Sequence, residues 1–185
     1  MLRQEWPCPG DLLHVDIKKL GKIGRIGYRV RGDSRTRVRG IGWEYVHVAI
    51  DDGSRVACAE IQRDETSATT AAFLQRALAW YATLGVTVRA LLSDYGSAYR
   101  SRRVVARLAA HCVAHRSTRP YTPRTNGKAE RLIQTLLREW ANVRPYPSSY
   151  RRAQWLDRYL DHYNHARAHS SLNYSPPMLR LAERR

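Results

Sequence analysis

A mixed α/β domain is what this sequence predicts, on three observations. Short apolar runs rich in β-favouring residues come first and carry hairpin chemistry between them. Strand-like and helix-like periods then alternate, a layout that builds a sheet with helices packed on it. A strongly amphipathic segment beginning near Asn126 supplies a helix with one face on a core.

Taken in order, Leu12-Leu13-His14-Val15-Asp16-Ile17 reads as a central strand. From Lys18 to Arg39 the text turns to Gly and basic residues, which reads as a long hairpin or mobile loop suited to contact with an anion. Glu44 to Ile50 alternates in strand fashion, Asp52-Gly53-Ser54 is turn chemistry, and Arg55 to Ile61 reads as the antiparallel partner. Thr66 to Leu84 has a helical period opened by Thr and Ser and stopped by Gly85. Val88 to Ser93 is a buried-type strand that runs into a turn at Asp94-Tyr95-Gly96-Ser97. A helix over Ala98 to His111, a strand over Val113 to Arg116 and a polar loop over Ser117 to Thr125 follow. On the next helix Ala129, Leu132, Ile133, Leu136 and Trp140 form one stripe, which leaves Glu130 at its rim. Beyond Arg144-Pro-Tyr-Pro, residues Ser149 to Asn164 read as a separate amphipathic helix. The expected division is a core over 1–145 and a C-terminal helical tail over 146–185.

Composition narrows the partners. The 185 residues carry a net charge of +16, which favours polyanions. The excess is 28 Arg to 4 Lys, a bias that phosphate recognition and GC-rich coding explain equally well. No run approaches the roughly 18 to 20 apolar residues of a spanning helix, so a membrane role is not expected and a cytoplasmic location is. Cys8, Cys58 and Cys112 are too scattered for a disulfide scaffold or a four-cysteine zinc site, and His111, Cys112 and His115 lack a second ligand pair. His162, His165 and His169 read as structural or DNA-proximal, and His14 as a packed core residue that could also reach Asp16.

Three carboxylates stand out. Asp16 lies inside an apolar strand, Asp94 at the end of another and as the lone acid between Thr66 and Ala129, and Glu130 on a helix rim. Each is costly in such surroundings unless compensated. If they converge, their repulsion calls for divalent metal, and hard oxygen ligands suit magnesium or manganese. Two such ions roughly 4 Å apart can clamp the attacking and leaving oxygens of a phosphoryl transfer.

The blocks that hold these acids are Leu13-His14-Val15-Asp16, Leu92-Ser93-Asp94-Tyr95-Gly96-Ser97-Ala98-Tyr99, and Arg119 to Arg131 with its Asn126-Gly127-Lys128-Ala129-Glu130 centre. Between Asp94 and Glu130 stand 35 residues. This pattern resembles the integrase core shared by retroviral integrases and bacterial insertion-sequence transposases. Tyr163 to Leu172 and Pro176-Pro177 resemble the end of such transposases.

The resemblance implies a ribonuclease H-like fold, a mixed five-stranded sheet flanked by helices. It implies an Asp-Asp-Glu triad of Asp16, Asp94 and Glu130 as both catalytic and metal-binding residues. Two Mg2+ (or Mn2+) ions would be held, with Asp16 bridging and Asp94 and Glu130 each completing one shell. The reaction implied is hydrolysis that frees a 3′-hydroxyl at an element end, then attack of that hydroxyl on target DNA. The partners implied are element ends, target DNA and at least one further copy of the chain, in a nucleoid-associated bacterial setting. Lys18, Lys19, Arg124, Lys128, Arg131 and Arg138 are the expected DNA contacts, with Tyr121, Thr122 and Pro123 in a loop beside the site. Three positions depart from the family: Tyr95 where Asn is common, Leu137 where a basic residue is common, and Ala168 where Pro is usual. Related transposases also carry a helix-turn-helix before the core, and Asp16 comes too early for one, so the chain reads as a fragment, a truncated frame or an excised domain. The competing readings are a ribonuclease H-like nuclease and a basic DNA-binding remnant without turnover.

Overall fold

The computed structural model describes residues 6–23, 42–118 and 126–184. The Gly-rich basic stretch beyond Ile23 and the loop with Tyr121, Thr122, Pro123 and Arg124 lie outside the described residues. Five strands form one sheet in the order β3-β2-β1-β4-β5. β1 (Leu13–Gly21), β2 (Trp43–Asp51) and β3 (Ala57–Gln62) are an antiparallel meander. β4 (Ala90–Ser93) joins β1 in parallel and β5 (Ala114–Ser117) joins β4 in parallel, each after a helix. The mixed sheet expected from the alternation of periods is therefore present.

β1 runs four residues past Ile17, so Lys18 and Lys19 sit on the strand and not in a loop. Paired through to Gly21↔Trp43, the strand satisfies its backbone across the meander whatever its side chains prefer. β3 starts two residues later than expected, because Arg55 is held at φ +65°, a left-handed conformation no strand accommodates.

Helices cover both faces. α1 (Ser67–Thr83) is capped by Thr66, whose side chain accepts from the Thr69 N–H. α2 (Arg102–Ala110) is capped by Ser101, which accepts from the Val104 N–H and starts this helix four residues after the expected Ala98. Phe73, Leu74, Leu78 and Tyr81 of α1 and Val104 and Leu108 of α2 pack on Leu13, Val15 and Leu91. On the opposite face, α3 (Gly127–Leu136) and a π-helical turn (Leu137–Ala141) seat Ala129, Leu132, Ile133, Leu136 and Trp140 against Leu20, Val46, Val48 and Ile50. That is the stripe read from the sequence.

The tail is broken where one helix was expected. α4 (Ser149–Ala153) and α5 (Leu156–His165) are separate, followed by α6 (Pro177–Glu183). The Arg152 carbonyl explains the break: it accepts from the Trp140 indole N–H (3.0 Å) and the Trp155 N–H (3.2 Å). Leu156, Leu160 and Tyr163 join the α3 core, and Leu181 joins the other. Among the described residues, no helix is long and apolar enough to cross a membrane.

Candidate active site

The register of the parallel pair brings the first two acids together. His14 pairs with Leu92 across β1 and β4, and two residues onward stand Asp16, within β1, and Asp94, just past the end of β4. Both lie just beyond the last paired residues of the parallel ladder, at the carboxyl end of β4, where open α/β sheets place their sites. The third acid comes from the helix packed on that face. Side chains alternate along β1, so Asp16 shares a face with His14, which touches Asn126 at the start of α3. One helical turn beyond Asn126 stands Glu130.

The electrostatics agree with this placement. The Asp16 carboxyl is pushed up to about 6. Burial is the largest cause, the negative charges of Asp94 and Glu130 add to it, and the Ile17 N–H and the Lys18 charge oppose it. The buried Tyr99 phenol is also raised, first by burial and then by Asp16 and Asp94. Asp94 and Glu130 are exposed. Asp94 Oδ1 accepts from the Gly96 N–H at 3.0 Å. A Cβ at residue 96 would meet that oxygen at 2.9 Å, which is the physical content of the Asp-x-Gly spacing.

Three carboxylates without nitrogen or sulfur donors are a hard set that suits magnesium or manganese. Their geometry is open. Asp16 Oδ1 takes the Ile17 N–H (2.7 Å) and Asp94 Oδ1 that of Gly96. Among the described residues, no three His, Cys, Asp or Glu side chains are gathered closely enough to hold an ion. Closing on a cation requires these side chains to turn toward one another.

The expected DNA contacts divide. Arg131 and Arg138 are exposed on α3 and the π-helical turn. Lys19 is exposed, with its ammonium 4.7 Å from the Trp43 ring and 5.7 Å from that of Tyr45. Lys18 is half-buried on the Asp16 face, beside Leu20, Ile133 and Trp140. Lys128 pairs with the buried Asp52 carboxylate, which separates it from the solvent-facing set. His115 turns Nε2 to Ser93 Oγ at 2.9 Å.

The part Asp52 and Asn126 play beside the site was not read from the sequence. Asp52 was readable as a turn former and Asn126 as a helix start, and both are buried polar residues bonded to His14. Burial pushes the Asp52 carboxyl up, but bonds from His14, Lys128 and the Trp6 N–H outweigh it and hold the group down at about 2.

Comparison with known proteins decides the family. Residues 7–123 match the integrase core domain, and a second description of the same domain matches residues 111–177. The chain belongs to the integrase core family. Transposase InsD of insertion elements IS2A/D/F/H/I/K from Escherichia coli, and that of IS2D from Escherichia coli strain K12, are each 33% identical over 95 residues. Each match takes in 50% of this chain and 31% of the relative, so only a minor part of those proteins is represented. The fold matches a chain of the simian T-cell lymphotropic virus intasome in complex with PP2A regulatory subunit B56 gamma. There the TM-score is 0.71 at 21% identity, over 95% of this chain and 55% of that one. It also matches the catalytic core domain of BIV integrase, with TM-score 0.61 and 17% identity over 94% and 95% of the two chains. The integrase core thus has here the ribonuclease H-like sheet that the resemblance implied.

Proposed function

We propose that this integrase core is the catalytic part of an insertion-sequence transposase, with Asp16, Asp94 and Glu130 as its metal-holding catalytic residues. The observation that carries the reading is the placement of Asp16 on β1, Asp94 just past β4 and Glu130 on α3, near enough that the charges of Asp94 and Glu130 both raise the Asp16 carboxyl. Two magnesium or manganese ions on these carboxylates would activate the attacking oxygen and neutralise the charge developing on the phosphate. Asp16, between strand and helix, would serve both ions, with Asp94 and Glu130 completing one site each. In the first step water forms a bond to phosphorus and the 3′-oxygen leaves as a hydroxyl. In the second, that hydroxyl attacks a phosphodiester of the target and displaces its 3′-oxygen.

Exposed Arg131, Arg138 and Lys19 would hold the DNA backbone, with Lys18 and, from the sequence, Arg124 as further contacts. Lys128, expected among these contacts, is paired with the buried Asp52 carboxylate instead and is not placed on the DNA. Handling two element ends together implies at least a dimer on DNA, and a nucleoid setting follows from the substrate.

Labelled duplex incubated with Mg2+ tests the reading. Nicking and joining are expected from the parent chain, and Glu130→Gln should silence both while leaving duplex binding within twofold. Turnover that survives Glu130→Gln would overturn the assignment, hydrolysis without joining would identify a nuclease, and binding without nicking by the parent would identify an inactive remnant.

A further inference from the structure

A chain of buried polar groups joins β1 to the start of α3 without using any of the three acids. Asn126 is 3% exposed and immediately precedes α3. Asparagine at that place ordinarily caps the helix, yet this one makes no capping bond. Its Nδ2 donates instead to the Val15 carbonyl at 3.0 Å, the peptide group that leads into Asp16. Its Oδ1 lies 3.2 Å from His14 Nδ1. His14 Nε2 in turn lies 2.7 Å from Asp52 Oδ1. The ammonium of Lys128, in the first turn of α3, pairs with that same carboxylate and donates to the Asp52 carbonyl at 3.3 Å. The Trp6 N–H fills Oδ2 at 2.9 Å. The first turn of α3 is thereby fastened twice, by Asn126 to β1 and by Lys128 to the β2–β3 turn. Buried polar groups satisfied in this way favour one arrangement over its neighbours, because every slip leaves a donor or acceptor stranded.

We propose that Asn126, backed by His14 and Asp52 and closed by Lys128, is a positioning residue that sets Glu130 relative to Asp16. The proposal rests on the catalytic reading of Glu130 given above. A carboxylate misplaced by about 1 Å can cost about a hundredfold in rate. Groups standing behind metal ligands carry about 10- to 100-fold in activity or metal affinity.

The fold offers a matched control. Asn164, 4% exposed, also brackets a strand, its Oδ1 accepting from the Ala57 N–H (2.9 Å) and its Nδ2 donating to the Ala57 carbonyl (2.8 Å). It lies on the tail and bonds to β3, which is at the sheet edge and separated from β4 by two strands. In the full chain, Asn126→Ala is expected to lower kcat for plasmid nicking about 10- to 100-fold with KM for DNA within twofold, and to weaken Mn2+ binding, titrated calorimetrically without DNA, about tenfold. Asn164→Ala should lower the melting temperature comparably and leave kcat and Mn2+ affinity within twofold at temperatures where it is folded.

If both variants retain kcat while Glu130→Gln is silent, positioning by Asn126 is refuted and the catalytic reading stands. If both lose kcat in step with stability, the network is only structural and the proposal falls. If Glu130→Gln remains active, both fall. Should Asn126→Ala fail to fold, Lys128→Met against Lys128→Arg decides. A loss of kcat in the methionine variant, restored by arginine, with salt dependence of DNA binding unchanged, supports positioning. A raised KM and a flatter salt dependence would make Lys128 a phosphate contact and overturn it.

Discussion

Replacing Asp16 by asparagine should make this fold more stable while removing its chemistry. In the folded chain the Asp16 carboxyl is carried from an ordinary 3.8 to about 6, by burial first and then by Asp94 and Glu130. A displacement of that size corresponds to about 3 kcal/mol held against the folded state once the group is ionised. The unfolded chain releases this proton near pH 4 and the folded chain near pH 6. Stability therefore declines as pH climbs through that interval, and the loss is complete above it. Asparagine keeps an oxygen to accept the Ile17 N–H and has no charge to bury. Urea unfolding should find Asp16→Asn more stable by about 3 kcal/mol at pH 8, and by about 1 kcal/mol at pH 4.5. Millimolar Mg2+ at pH 8 should narrow the gap by stabilising the parent alone. An asparagine variant less stable than the parent at pH 8, or a gap that ignores pH, would refute the account of Asp16 as a strained acid.

Three further outcomes are expected. Arg152→Met should destabilise by about 3–5 kcal/mol in denaturant, because it leaves the Glu44 carboxylate and the Gly21 carbonyl, bonded to the guanidinium at 2.6 and 2.9 Å, without that partner in a buried setting. Gly96→Ala should lower nicking about tenfold or more with stability changed by under about 1 kcal/mol, since the new Cβ meets Asp94 Oδ1 at 2.9 Å. Arg131→Ala and Arg138→Ala should each reduce the slope of log binding constant against log salt by about 1, measured by fluorescence anisotropy on duplex DNA.

The antiparallel hairpin, the strand that leads to Asp94 and the apolar stripe of α3 were legible because each follows a local period that burial rewards. The split between α4 and α5 was not, since it depends on the Trp140 indole reaching the Arg152 carbonyl, a bond no local pattern announces. The extension of β1 through Lys18 and Lys19 was hidden for a similar reason: the partner strand, not the lysines, holds the backbone there. At the site, the three acids were conspicuous as charges in apolar text. Of the groups behind them only His14 was legible, from its place two residues before Asp16 on the same strand face; Asp52 and Asn126 acquire meaning only through their contacts with it, spanning 38 and 112 positions of sequence.

The seating of Leu181 among Leu13 and Val15 sets an order on biosynthesis. A nascent polypeptide still short of that leucine has its β1 strand in hand but lacks a piece of the packing behind it, so the Leu13 and Val15 face of β1 is fully covered only after the α6 segment has cleared the ribosome tunnel.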